Sequence, residues 1–202
     1  MIHLKKLNLL NHKGLKRIND FGDNRGGGEK SGYLEISGGA YINLAGIPGI
    51  YNSDSFSCTF QIPNLDTAGR NDIGYIFGYQ SSSSYGFFIY GSGWPPAGFL
   101  GRFGSNFVSL SLTPINAKHT YERSGMIYLS SSNTIWLFGN NYDGGKYSNI
   151  TIRFWGFSVT RSGAKVIDLV PAIENGVAGV KDLISGNFYG NSGSGTITFV
   201  EE

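Results

Sequence analysis

Apolar and polar residues alternate one for one along 55–62. Phe56, Cys58, Phe60 and Ile62 fall on one side, and Ser55, Ser57, Thr59 and Gln61 on the other. A period of two marks a strand with one buried and one wet face. Apolar runs predict further strands over 73–79, 85–90, 99–103, 107–112, 126–129, 134–138 and 150–159. Between them lie 80–84, 92–96, 130–133 and 140–145, rich in Ser, Asn, Gly and Pro, whose side-chain bonds and dihedrals favour turns. No helical period is long enough to supply crossovers, so the pattern predicts an all-β chain of two packed antiparallel sheets. No repeat of about 20 to 50 residues appears, which argues against a propeller or solenoid.

Composition agrees with that picture. The 31 Gly, 14 Phe and 12 Tyr against 15% charged residues are the balance of many short strands joined by tight turns. A folded chain of 202 residues removes roughly 70% of its unfolded surface from water, enough for one core without disulfides or metal. Cys58 is the single cysteine, so no disulfide framework exists, and its phase with apolar neighbours predicts a buried thiol.

Charge divides the chain. Residues 1–30 hold seven basic and three acidic side chains, a net +4, which leaves −2 for the rest of a chain with net +2. Their Ile and Leu residues keep no helical period, and Asn24-Arg25-Gly26-Gly27-Gly28 reads as a hinge. The expectation is an extended N-terminal arm and linker over 1–30 and a β domain over 31–202, the arm lying along a partner or along its own sandwich. Lys5 and Lys6 interrupt the first apolar residues, so no secretory signal is expected, and no run approaches about 18 apolar residues. Asn149-Ile150-Thr151 matches a glycosylation acceptor and is read as strand sequence.

For chemistry, a retaining glycosidase needs two carboxylates about 5 Å apart. No strand reads Glu-x-Asp or Asp-x-Glu, and Asp143 and Glu122 stand alone, so a non-enzyme is expected. His3, His12 and His119 are too scattered for a triad or a metal cluster, and neither a metal nor a cofactor is expected. The β domain is slightly acidic, which disfavours nucleic acid. Sugars stack their C–H faces on aromatic rings and direct hydroxyls at amides and carboxylates, groups that gather on loops held by a rigid sandwich. Tyr79, Tyr85 and Trp94 around polar turns, and Asn140, Asn141, Tyr142 and Asp143, are therefore the candidate ligand-binding residues.

The final stretch carries a more specific pattern. It contains Phe154-Trp155-Gly156-Phe157-Ser158-Val159, then Val166-Ile167-Asp168-Leu169-Val170-Pro171-Ala172, then Gly176, Gly179, Asp182 and Ser185-Gly186-Asn187-Phe188-Tyr189. Asn191, Gly193, Gly195 and a last strand over 196–200 follow. This run resembles the end of the concanavalin A-like, laminin-G-like jelly-roll domains found in bacteriophage structural proteins and bacterial surface proteins. Tyr41-Ile42-Asn43-Leu44 and Ile76-Phe77-Gly78 resemble that family's opening strands, so the resemblance spans about residues 33–200 and leaves out the arm.

The resemblance implies a jelly-roll sandwich of two curved sheets. It also implies a virion structural protein of a bacteriophage, assembled in the host cytoplasm and present in many copies or as a homo-oligomer. The arm would contact other proteins of the capsid, tail or baseplate, and the displayed domain would meet cell-surface glycan. The alternative is a carbohydrate-binding module of a bacterial surface protein, with a polysaccharide hydrolase behind it. Within the run, Asp168 and Asp182 are expected to cap turns, Pro171 to end a strand, and 185–187 to form a hairpin turn. Trp155, Phe188 and Tyr189 are expected in the core or against turns.

Overall fold

The computed structural model describes residues 31–51, 53–64, 73–79, 85–90, 99–103, 106–110, 116–125, 135–140 and 146–202. All fall in the compact unit Ser31–Glu202; the unit Met1–Lys30, and with it the expected arm, lies outside them, as does the strand expected over 126–129. The described elements are strands, and none is a helix. In chain order they are β1 (Gly32–Ser37), β2 (Ile42–Asn43), β3 (Ser55–Gln61), β4 (Ile73–Tyr79), β5 (Tyr85–Tyr90), β6 (Phe99–Phe103), β7 (Asn106–Leu110) and β8 (His119–Ser124). Then come β9 (Ile135–Leu137), β10 (Gly139–Asn140), β11 (Lys146–Tyr147), β12 (Ile152–Arg161), β13 (Ala164–Glu174), β14 (Val177–Asp182), β15 (Phe188–Gly190) and β16 (Thr196–Glu201).

The strands form an eight-stranded and a six-stranded antiparallel sheet, with β10 and β11 as a separate ribbon. The six-stranded sheet runs β2-β9-β4-β5-β6-β7. In the larger sheet β12 is the axis. One of its edges pairs with β3, which in turn pairs with β8. Its other partners divide it: β1 takes Ile152 to Phe154, and β13 takes Phe157 to Arg161. The change falls at a β-bulge between Phe154 and Gly156. An extra residue there bends and twists the strand, so two ribbons can leave it in different directions. Gly156 suits the bend because a Cβ would stand 3.2 Å from the Leu169 carbonyl.

A layer of rings joins the sheets. Phe56 meets Phe77 edge-on at 5.5 Å, Phe60 meets Phe87 at 5.7 Å, Phe157 lies 5.1 Å from Phe77, and Phe154 5.2 Å from Phe138. In each pair the first residue belongs to the larger sheet, and the second lies on or beside the smaller one. The two sheets therefore face each other across one core, as in a β-sandwich. Burying such a side chain is worth about 1.5–3 kcal/mol, and the edge-on geometry adds to it. Cys58 belongs to this layer, fully buried, and desolvation pushes its thiol pKa far up. The thiol is inert packing, as its phase predicts.

Strands 73–79, 85–90 and 99–103 fall where periodicity puts them. The strand expected over 107–112 is described over Asn106–Leu110, with 111 and 112 outside the described residues, and that over 150–159 starts and ends two residues later. The one expected over 134–138 stops at Leu137, because Phe138 takes a positive φ of 63° and turns the chain toward Ile76, whose carbonyl accepts its N–H. The buried Ser148 hydroxyl secures this corner, accepting from the Tyr75 N–H at 2.8 Å and lying 3.2 Å from the Tyr75 and Phe138 carbonyls.

Pro171 does not end a strand. It sits inside β13, paired with Val180. Proline is tolerated there because β12 has already left β13 beyond Leu169, so the missing N–H falls on an edge. Asp182 caps the 183–187 turn as expected: its buried carboxylate accepts from the N–H groups of Asp168, Ile184 and Ser185 and from the Ser185 hydroxyl. Asp168 instead pairs with Lys165 at 2.8 Å. Tyr189 packs on the core and the Phe188 ring covers Gly179, both within expectation. Trp155 departs from it, standing on the outer side of β12 away from the ring layer.

Candidate functional site

Alternation turns every second residue of β3, β8 and β12 away from the rings, and the register lines these residues up in rows. Ser124, Ser55 and Thr160 are neighbours in one row, and Glu122, Ser57 and Ser158 in the next. Side chains this small leave a shallow trough of about 290 Å³ between their larger neighbours. Its lining is those six residues together with Arg123 and Phe56, which are paired with each other on the inward alternation.

Hydrogen bonding distinguishes the trough from its surroundings. Among the described residues, none of the six polar side chains makes a hydrogen bond. Several polar groups around them are paired. Thr59 and Thr120 share a hydroxyl bond of 2.9 Å, and Gln61 Nε2 donates to the Asn116 carbonyl at 2.6 Å. Arg153 Nε donates to Glu35 at 2.8 Å. Beyond it Trp155 lies 4.8 Å from the Tyr33 ring, carries the Lys118 ammonium 4.1 Å over its own ring, and donates Nε1 to Glu202 at 3.0 Å.

One residue fixes the open end of the three strands. Asp54 precedes Ser55, Arg161 follows Thr160, and Gly125 follows Ser124. The fully buried Asp54 carboxylate takes both Arg161 Nε at 2.9 Å and Nη2 at 2.8 Å, and the Tyr51 N–H at 2.8 Å. Its carbonyl accepts the Gly125 N–H, while Arg161 also donates to the Gly49 carbonyl at 2.7 Å and lies over the Tyr51 ring. The Arg161 hydrogen bonds, opposed by desolvation and helped by the Tyr51 N–H, hold the Asp54 carboxyl below the usual carboxylate range. The bidentate fork is directional as well as strong, so it sets the strand ends in register.

The loop residues singled out from sequence fall elsewhere. Tyr79 and Tyr85 are direct neighbours where β4 meets β5, and Asn140 pairs with Lys146 at the base of the ribbon. Trp94, Asn141, Tyr142 and Asp143 lie outside the described residues. The stems of their loops are described. Tyr90, which precedes 91–98, pairs with Ile73, and Phe138 and Ser148, on either side of the ribbon, bond Ile76 and Tyr75. Along β4, at a rise of about 3.3 Å per residue, the first stem stands about 20 Å from the Tyr79–Tyr85 pair and the second about 10–13 Å.

The trough escaped sequence reading for a physical reason. Alternation in 55–62 shows that Ser55 and Ser57 are wet, but their partners come from residues about 65 to 105 positions away and only the pairing unites them. Among the described residues no group of three or more His, Cys, Asp or Glu is placed to hold a metal ion. Comparison of the chain with protein-family models, with curated proteins and with solved structures gives no match.

Proposed function

We propose that this chain is a non-enzymatic structural protein of a bacteriophage particle whose β-sandwich is displayed as a binding module. The observation that supports the binding half is the trough: six polar side chains that, among the described residues, make no hydrogen bond, collected in one depression. The resemblance of 154–200 to phage jelly-roll domains and the basic balance of residues 1–30 support the assembly half.

We infer further that the sandwich is a concanavalin A-like jelly roll. Two features support it: first and last described strands pair along their whole length, and β3 lies beside β12 despite about 100 intervening residues. Such long returns are how Greek-key and jelly-roll sheets place non-consecutive strands side by side.

Purified phage particles from an infected culture provide the test. The protein is expected to sediment with intact particles through a density gradient, at many copies each. Recovery only in the soluble host fraction would overturn the assembly half. Recovery on the bacterial surface would favour instead a carbohydrate-binding module of a surface protein, the reading the trough supports next.

A further inference from the structure

We propose that Asn175 is a site of self-modification, where the side-chain amide is lost to attack by the Gly176 backbone nitrogen through a succinimide when the tip of the β13–β14 hairpin opens. The inference is independent of the reading of this domain as a binding module. Sequence supplies the chemistry. Asn175-Gly176 is the single Asn-Gly step in the chain, and glycine leaves the attacking nitrogen without a side chain to shield it. Both residues are exposed, and a Cβ on Gly176 would meet nothing within 4 Å. Among the described residues the Asn175 side chain makes no hydrogen bond. Asn191, followed by the small Ser192, is the contrast: its amide donates to the Gly195 carbonyl at 2.8 Å and its oxygen accepts the Gly193 N–H at 2.9 Å.

The step balances with water as the only co-reactant. Hydroxide removes the Gly176 N–H proton, the nitrogen forms a bond to Asn175 Cγ, and the Cγ–Nδ2 bond breaks as that nitrogen takes up a proton and leaves as ammonia. Water then opens the ring at either carbonyl, giving aspartate or, with the chain rerouted through Cγ, isoaspartate. The closed turn holds this reaction off. Asn175 and Gly176 have φ of 52° and 79°, the left-handed pair of a type I′ turn, and at the matching ψ of about +47° the Gly176 nitrogen lies on the far side from Asn175 Cβ. The hairpin, however, is built to open at this end. β12 parts from β13 beyond Leu169, and β15 reaches β14 only from Gly179 on, so the Ile173–Ala178 and Glu174–Val177 pairs have no third strand paired with them among the described residues. Ile173 and Val177 are 53% and 49% exposed, and of the four only Ala178 packs on the core. The Glu174–Lys181 ion pair, at 3.5 Å and exposed on both sides, adds little. A two-stranded end with so little burial opens at small cost. Isoaspartate adds one carbon to the main chain of a two-residue loop, so the converted turn no longer closes.

The test is peptide mapping by mass spectrometry of the full chain, held folded in warm, mildly alkaline buffer and sampled over time beside a urea-unfolded sample. Asn175 is expected to convert first among the asparagines of the folded chain, with isoaspartate as the major product. Its rate should rise with pH and stay below that of the unfolded sample. Ile173→Gly, which loosens the tip without touching the reacting residues, is expected to raise the folded-state rate about fivefold, and Val177→Gly to do the same from the other strand. Another asparagine converting first, conversion of Asn175 in the unfolded sample alone, a rate indifferent to pH, or rates unchanged in both glycine variants would each overturn the proposal.

Discussion

The two faces of the β3–β12 pair are made from alternate residues of the same strands, yet they do opposite work. On the inner face Phe56, Cys58, Phe60, Phe157 and Val159 are each at most 2% exposed and touch the opposite sheet or one another. On the outer face Ser55, Ser57, Ser158 and Thr160 are half-buried and, among the described residues, make no side-chain hydrogen bond. Stability therefore resides on one side of a strand and recognition is free to reside on the other. Only Asp54 serves both, because it is buried like a core residue and sets the strand ends that frame the trough.

The largest expected effect probes the inner face. Phe60→Ala or Phe154→Ala should cost about 3–5 kcal/mol in urea unfolding, the transfer term plus a cavity the ring layer cannot close. A loss below about 1 kcal/mol would show that the layer is looser than its geometry. Next comes the clasp. Arg161→Met strands a buried carboxylate and should cost about 2–3 kcal/mol, less than a wholly buried pair because the arginine side chain is 31% exposed.

The same pair predicts a pH dependence. The folded Asp54 carboxyl titrates below its unfolded value, so its contribution is complete above about pH 4 and is lost as pH falls toward the lowered folded-state value. Wild type should lose this increment on acidification from about pH 4 downward, and Arg161→Met should not. Parallel acid profiles would sever the link between the clasp and stability.

Asp182→Ala should cost about 1–3 kcal/mol, because two turn N–H groups and the Asp168 N–H of β13 lose their acceptor. Protection of the Ile184 and Ser185 amides from hydrogen exchange should fall with it. The smallest effect sharpens the comparison most. Ser57→Ala and Ser158→Ala should each change stability by less than about 0.5 kcal/mol, measured by urea unfolding. A large destabilisation would mean that the outer face is structural after all.

Much of the inner face was legible. Strict alternation places Phe56, Cys58 and Phe60 inward, and the structure buries all three. Less was legible where partners are distant. The β8 strand reads His119-Thr120-Tyr121-Glu122-Arg123-Ser124, with charge where apolar residues would announce a strand. Pro171 looks like a strand end until β12 is seen to diverge, and Trp155 looks like core until the bulge at Gly156 turns it outward. The loop residues from Tyr79 to Asp143 share a chemistry, but the backbone sets the stem of the Asn140 ribbon three to four residues along β4 from Tyr79.

By itself, then, the sequence determined the class of this protein: strands from a period of two, turns from glycine and asparagine, one core from a single buried thiol among many rings. These are local properties, set by neighbours one or two residues apart. Tertiary structure alone decided which strands share an edge and therefore which hydroxyls share a trough, and it closed Arg161 on Asp54 across 107 positions. Register between distant strands is fixed by the combined fit of the ring layer, the bulge and the clasp, and no short window of sequence contains that information.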